Sequence, residues 1–165
     1  MAIRPILHYP HPTLKTDSAA VLPDDPATQA VAQDLLDTLD ASPGVALAAP
    51  QIGHAVRVIV VDVSRKKGEK GHGLIVMVNP VILALEGRKI LREGCLSVPD
   101  YTGNVLRHDQ AVVEGLTLDG RVVTLTTSGF EALALQHEVD HLNGLLFLDR
   151  IQSLSTDLFR RKTSS

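Results

Sequence analysis

Apolar residues recur every three to four positions through DPATQAVAQDLLDTLD (25–40), placing Val31, Leu35, Leu36 and Leu39 on one face of a predicted helix. Asp25 suits its N-cap, Pro26 its first turn, where a missing N–H costs nothing, and Ser42-Pro43-Gly44 ends it. The pattern then changes. AVRVIVVDV (55–63) is β-branched and apolar enough for a buried strand, and the Lys- and Gly-rich stretch 64–73 reads as an exposed connection. LIVMVNPVILALEG (74–87) predicts two strands broken at Asn79-Pro80, because proline brings no N–H to a central ladder. AVVEGLTLDGRVVTLTT (111–127) predicts a hairpin turning at Asp119-Gly120.

A second helix is predicted over 129–143. Ser128 and Glu131 stand at capping-box spacing before it, and Asn143-Gly144 offers a stop after it. Strands that run first, a principal helix that comes late, and no strand–helix–strand alternation point to an α+β fold.

Composition sharpens this outline. The 165 residues suit a single domain spanning 1–165, with no internal repeat and no linker long enough to divide it. Apolar residues make up 44% and aromatic ones only 3%, so the core is expected to be aliphatic. A net charge of −3 argues against a general nucleic-acid binder, and the basic runs RKKGEK (65–70) and RRK (160–162) read as solvated segments. Prolines and histidines interrupt the start before an apolar run reaches the length of a secretory signal or a membrane span. The single cysteine, Cys95, cannot form an internal disulfide. These features point to the cytoplasm, with no membrane partner.

The chemistry concentrates in QHEVDHLNG (136–144). On the predicted helix His137 and His141 lie one turn apart on one face, so both rings can reach one ion, with Glu138 beside the first. The bland alternative is a polar patch on a surface helix. A catalytic metal generally has three protein ligands and one open position. The extended pattern with a third histidine fails here, because position 147 is Phe, and no Glu follows Glu138. The third ligand is therefore expected upstream. EGCLSVP (93–99) supplies Cys95 as the candidate, flanked by Gly94, which permits close backbone approach; buried packing is the alternative role for a lone cysteine.

Three segments together, GVALAAPQ (44–51), EGCLS (93–97) and HEVDH (137–141), resemble the peptide deformylase family, and the likeness runs from ILHYPHPTL near the start to LLFLDR (145–150). The resemblance implies antiparallel β-sheets packed around a central metal-binding helix. It also implies a hydrolase that removes the N-terminal formyl group from the initiator methionine of new polypeptides, releasing formate. Cys95, His137 and His141 match the family's metal ligands, and Glu138 and Gln51 its catalytic residues, with the Leu96 backbone N–H as a second oxyanion donor. The implied ion is Fe2+ in the cell, with Zn2+, Ni2+ or Co2+ as substitutes in a purified sample. The implied partners are formyl-methionyl nascent peptides and the ribosome.

Helix geometry places Phe130, Leu133 and Ala134 along the same face as His137, where an apolar pocket would suit a methionine side chain. Gly44, Val45 and Ala46 in the first motif, and Gly94 in the second, complete the expected substrate contacts. The family motif reads G-x-G-x-A-A-x-Q, and Ala46 stands here at its second glycine. Glu93 is expected either to border the pocket or to orient the cysteine loop, and Asp140 to serve structure or orient a ligand, with Arg107 as its partner. Glu131 is assigned to the helix cap, and His8, His11, His54, His72 and His108 to surface roles. Two rival readings stand beside this one: another H-E-x-x-H metallopeptidase or amidase, and a catalytically silent ribosome-associated module.

Overall fold

The computed structural model describes residues 2–161. In chain order it contains α1 (Pro26–Asp40), β1 (Ala46–Ala48), β2 (Val58–Val61), β3 (Ile75–Glu86), β4 (Lys89–Cys95), β5 (Val98–Arg107), β6 (Gln110–Leu116), β7 (Val122–Ser128), α2 (Gly129–Leu142), α3 (Leu154–Asp157) and β8 (Leu158–Arg160). All strand pairs in its two sheets are antiparallel: one sheet runs β1-β2-β3-β6-β7 and the other β4-β5-β8. Among the described residues no helix is long and apolar enough to cross a membrane.

The core follows from side-chain alternation on β2. Val58 and Val60 point to one face of the larger sheet and join Val31, Leu35 and Leu39 of α1; Ile59 and Val61 point to the other and join Leu135 and Leu142 of α2. Helices cover both faces, so β2 reads as an unbroken apolar run rather than an alternating one. A third cluster, with Leu14, Cys95, Val105 and Phe147, packs against the smaller sheet. The first helix is capped as its sequence predicts: the Asp25 carboxylate accepts from the Ala27 N–H at 2.9 Å.

Three local expectations change. The strand predicted over 55–63 is shortened to Val58–Val61. Residues 75–86 form one strand, not two. Asn79 adopts a φ of 52°, the pairing register slips between Val78 and Val81, and Pro80 sits in that slip without breaking the strand. The bulge is held from outside the sheet: the Asn79 side chain accepts from the Val21 N–H at 3.0 Å and donates to the Val21 carbonyl at 2.8 Å. The capping box before α2 does not form either, since Ser128 makes no side-chain cap bond. Glu131 turns instead to Thr127, whose hydroxyl donates to it at 2.8 Å, and to the backbone N–H and ring of His72. The hairpin turn at Asp119-Gly120 is present, closed by Thr117 N–H donating to the Arg121 carbonyl at 2.8 Å, with Gly120 at a φ of 85°. In the basic run 160–162, Lys162 lies outside the described residues.

Candidate active site

Helix α2 is the pedestal of the site. Its N-terminus is anchored by Gly129 N–H donating to the Asp109 carbonyl at 2.8 Å. Its other end stops at Gly144, whose φ of 74° suits glycine and where an added Cβ would come within 2.7 Å of the Lys15 carbonyl oxygen. All five residues of HEVDH are buried, which removes the reading of the histidines as a surface polar patch.

Cys95, at the end of β4, faces this helix across the junction of the two sheets. Its Sγ lies 3.3 Å from His141 Nε2, and the two histidine Nε2 atoms lie 3.1 Å apart. One donor atom from each of Cys95, His137 and His141 falls within 4.8 Å of the others, and all three residues are buried. Bond lengths of about 2.0–2.1 Å to nitrogen and 2.3 Å to sulfur set tetrahedral ligands roughly 3.3–3.7 Å apart. The 3.3 Å and 3.1 Å separations lie near that range, and a small inward shift of the third pair lets the set hold one ion. The electrostatics agree. Burial pulls the His137 pKa down, but the Cys95 sulfur and the Glu93 carboxylate push it further up, to well above its ordinary value. His141 goes the other way, held low by burial and by the charge on His137. The sulfur of Cys95 and the carboxylate of Glu93 are thus the groups that favour positive charge at His137, and an ion held there would take the place of its proton.

Glu93 borders the cleft as expected, but the group it orients is His137 rather than the cysteine loop. Its carboxylate takes the Nδ1 of His137, which leaves Nε2 directed at Cys95 and His141. Arg107 grips Glu93 with two bonds, from Nη2 at 2.6 Å and Nε at 3.0 Å, and its Nη1 donates to Asp140 at 2.6 Å. Arg150 closes the far side of Asp140, with Nη2 at 2.7 Å. Burial would raise the Glu93 pKa, yet His137 and Arg107 hold it down at about 2. Arg107 is 3% exposed, and its partners hold its pKa above the usual value despite burial. The expected Asp140–Arg107 pair is therefore present, but as one part of a buried chain of charges that fixes His137. Arg150 was not among the expected site residues. For Glu93 the available signal was strand period: it stands two residues before Cys95 on β4, hence on the same face.

Glu138 is 3% exposed and its Oε1 has no hydrogen-bond partner. Burial, as the largest cause, raises its pKa to about 7, so it can both take and return a proton near neutrality. Gln51 is 1% exposed, and its amide is oriented by its neighbours. The Ala48 N–H donates to Oε1 at 2.9 Å, which turns the NH2 group toward Ser97 Oγ at 3.0 Å and Cys95 Sγ at 3.7 Å. Ser97 carried no sequence signal beyond lying in the cysteine motif.

A cleft of about 720 Å³ opens over these groups. It is lined by every substrate-contact residue expected from sequence, namely Gly44, Val45, Ala46, Gly94, Leu133 and Ala134, and also by Phe130, Leu96, Gln51, Cys95, His137 and Glu138. Gly44 lies close to Leu96: an added Cβ would come 2.8 Å from Leu96 Cδ1, so that side chain would have to shift. His141 sits below the cleft at 0% exposure. Of the other five histidines, four are exposed and His108 is half-buried; none joins the cluster.

Comparison with known proteins gives a consistent result. The polypeptide deformylase family model matches residues 3–157. The peptide deformylase of Syntrophobacter fumaroxidans is 44% identical over 98% of this chain and 94% of its own, and that of Desulforudis audaxviator is 44% identical over 98% and 99%. Among solved structures, a peptide deformylase from Legionella pneumophila superimposes with a TM-score of 0.84 at 40% identity, covering 93% of this chain and 88% of the other. A class I type b peptide deformylase from Acinetobacter baumannii with Met-Ala-Ser bound gives 0.83 at 36% identity, covering 91% and 99%. With a family match across nearly its whole length, the chain belongs to the polypeptide deformylases, the metal-dependent hydrolases that remove the N-terminal formyl group from nascent peptides.

Proposed function

We propose that this chain acts as a single catalytic domain in the cytoplasm, deformylating the initiator methionine of chains emerging from the ribosome. Cys95, His137 and His141 hold one divalent ion, and Glu138, Gln51 and the Leu96 N–H perform the remaining chemistry. The observation that carries this reading is the placement of the buried Cys/His/His donor set beside the unpartnered Oε1 of Glu138 and within the same cleft as Gln51.

A thiolate with two imidazoles suits iron, zinc, nickel or cobalt, and the family reading selects Fe2+ in the cell. When bound, the ion supplies an acidified water and a positive charge beside the scissile amide. The protein's own groups do the rest. Glu138 accepts a proton from the attacking water and passes it to the amine nitrogen as the C–N bond breaks, so formate and a free amino terminus leave together. The Gln51 NH2 group and the Leu96 N–H donate to the formyl oxygen as it gains negative charge; one such fixed donor is worth about 3–4 kcal/mol. Glu93 holds the His137 ring in place throughout. The methionine side chain enters the apolar wall of Phe130, Leu133 and Ala134. The peptide backbone then runs along β1, an outer strand of its sheet whose unpaired side can take an added strand. The Met-Ala-Ser ligand of the Acinetobacter relative is a peptide of this type.

The direct test is anaerobic purification with metal analysis, followed by assay of formyl-Met-Ala-Ser against unformylated Met-Ala-Ser. One ion per chain and release of formate from the first peptide alone are expected. Cleavage of the unformylated peptide, without action on the formylated one, would establish a general metallopeptidase instead. Metal-loaded protein that hydrolyses neither would be a silent module.

Ala46 tests the substrate path. It is half-buried, lines the cleft, and packs at the margin of the α2 core. Ala46→Gly is expected to raise kcat/KM modestly, and most for bulky residues after methionine, because one methyl group is worth at most about 1–3 kcal/mol. It should also lower stability by roughly 0.5–1 kcal/mol, glycine's usual entropic effect in a strand. Kinetics unchanged across small and bulky substrates would place the methyl group outside the path.

A further inference from the structure

The walls of the cleft carry charge that the reaction does not use. Four of its lining residues are cations, Arg65, Lys66, Arg92 and Arg161, although the chain as a whole has a net charge of −3. The two lining carboxylates are already committed: Glu93 is held by Arg107 and His137, and Glu138 is buried at the reacting centre. Arg65 is paired with Asp40 and approaches Asp62 at 3.8 Å. Lys66, Arg92 and Arg161 are exposed, and among the described residues none of them has a carboxylate partner.

Two of these free cations are placed by aromatic rings. Lys66 Nζ stands 4.2 Å from the centroid of Phe130, and Arg92 Cζ stands 3.6 Å from that of Phe159. A ring face fixes a cation without cancelling its charge. Two of the chain's three phenylalanines do this. The third cation, Arg161, lies over the β4 backbone: an added Cβ on Gly94 would come within 2.6 Å of its Nη2. Lys66 therefore stands beside Phe130 on the α2 side of the cleft, while Arg92 and Arg161 stand on the β4 side.

We propose that Lys66, Arg92 and Arg161 give this enzyme a preference for formylated chains with Asp or Glu at the second or third residue, just beyond the methionine. The proposal rests on the deformylase reading of the site. The methionine is held near His137, so the residues after it leave between the two positive walls. A carboxylate there meets opposite charge from both sides, whereas a lysine or arginine meets repulsion. Because the cations are exposed, the preference is screened by salt.

The test compares kcat/KM of the metal-loaded enzyme for two C-terminally amidated series, formyl-Met-Xaa-Ala-Ser and formyl-Met-Ala-Xaa-Ser, with Xaa as Glu, Gln or Lys. Amidation removes the terminal carboxylate as a competing partner, and the series that shows the effect identifies the position read. In that series Glu is expected to exceed Lys by about tenfold, the scale of one or two partly exposed ion pairs, with Gln between them. The gap should shrink at about 1 M salt, where charges are screened within about 3 Å. The double substitution Lys66→Glu with Arg92→Glu should reverse the order. Equal rates for all three residues in both series, or a preference for Lys, would overturn the proposal while leaving deformylation intact. Hydrolysis of no formyl peptide would overturn the deformylase reading and the proposal with it. If charge reversal leaves the order unchanged but weakens co-sedimentation with ribosomes, the cations serve docking to RNA, and the proposal is again overturned.

Discussion

Cys95→Ala is expected to lose its ion and, with it, its turnover. The two imidazoles would remain 3.1 Å apart on α2, but the sulfur that completes the set would be gone. Loss of a mere hydrogen-bond partner to a ligand typically costs about 10–100-fold in metal affinity, so loss of one of three ligands should cost more. The change should not unfold the chain, since Cys95 lies at the edge of an apolar cluster that retains Leu14, Val98, Val105, Leu146 and Phe147. Metal content after dialysis against a weak chelator, with far-UV circular dichroism as the control for folding, measures this directly. A folded variant that binds one equivalent as tightly as wild type would remove Cys95 from the ligand set. Cys95→Asp is the informative companion, because a carboxylate can restore binding to zinc while changing the reactivity of the site.

Glu138→Ala should do the opposite: keep the ion and lose the chemistry. Its carboxylate is not part of the compact donor set, and its Oε2 is 3.9 Å from His137 Nε2, beyond hydrogen-bond reach. The expected loss in kcat is roughly 10²–10⁴-fold, the usual contribution of a positioned acid/base. Glu138→Gln preserves the shape and removes the basic function, so the two variants should fall together if proton transfer is the role. Near-normal turnover would exclude Glu138 from the mechanism, and loss of metal would make it a structural support of the site.

What sequence could reveal here depended on distance along the chain. The two histidines were legible because helical period alone puts residues 137 and 141 on one face. The cysteine was legible because EGCLS, together with GVALAAPQ and HEVDH, resembles the family's motifs; spacing alone does not choose it over the other upstream histidines and carboxylates. By contrast, the capping box at Ser128 failed because Glu131 found a stronger partner in His72, which reaches it from a loop 59 residues away. Local spacing cannot register such a competitor. Asn79-Pro80 looked like a break for the same reason: the support that allows one strand to continue through it comes from Val21. Glu93 carried a local signal, its shared face with Cys95, but its choice of His137 as partner depends on how β4 docks on α2.

The fork of Arg107 limits how this family member can drift. One planar guanidinium serves Glu93 through Nε and Nη2 and Asp140 through Nη1, all in a buried setting. Lysine brings its donors on a single nitrogen and cannot span both carboxylates in that geometry. Replacing Arg107 removes the bridge between the two carboxylates and leaves Glu93 to His137 and Asp140 to the exposed Arg150; loss of one partner of a buried pair costs about 3–5 kcal/mol in comparable cases. Positions 93 and 140 are therefore coupled through position 107, so a change at Arg107 in descendants of this sequence is expected to come with changes at the carboxylates it bridges.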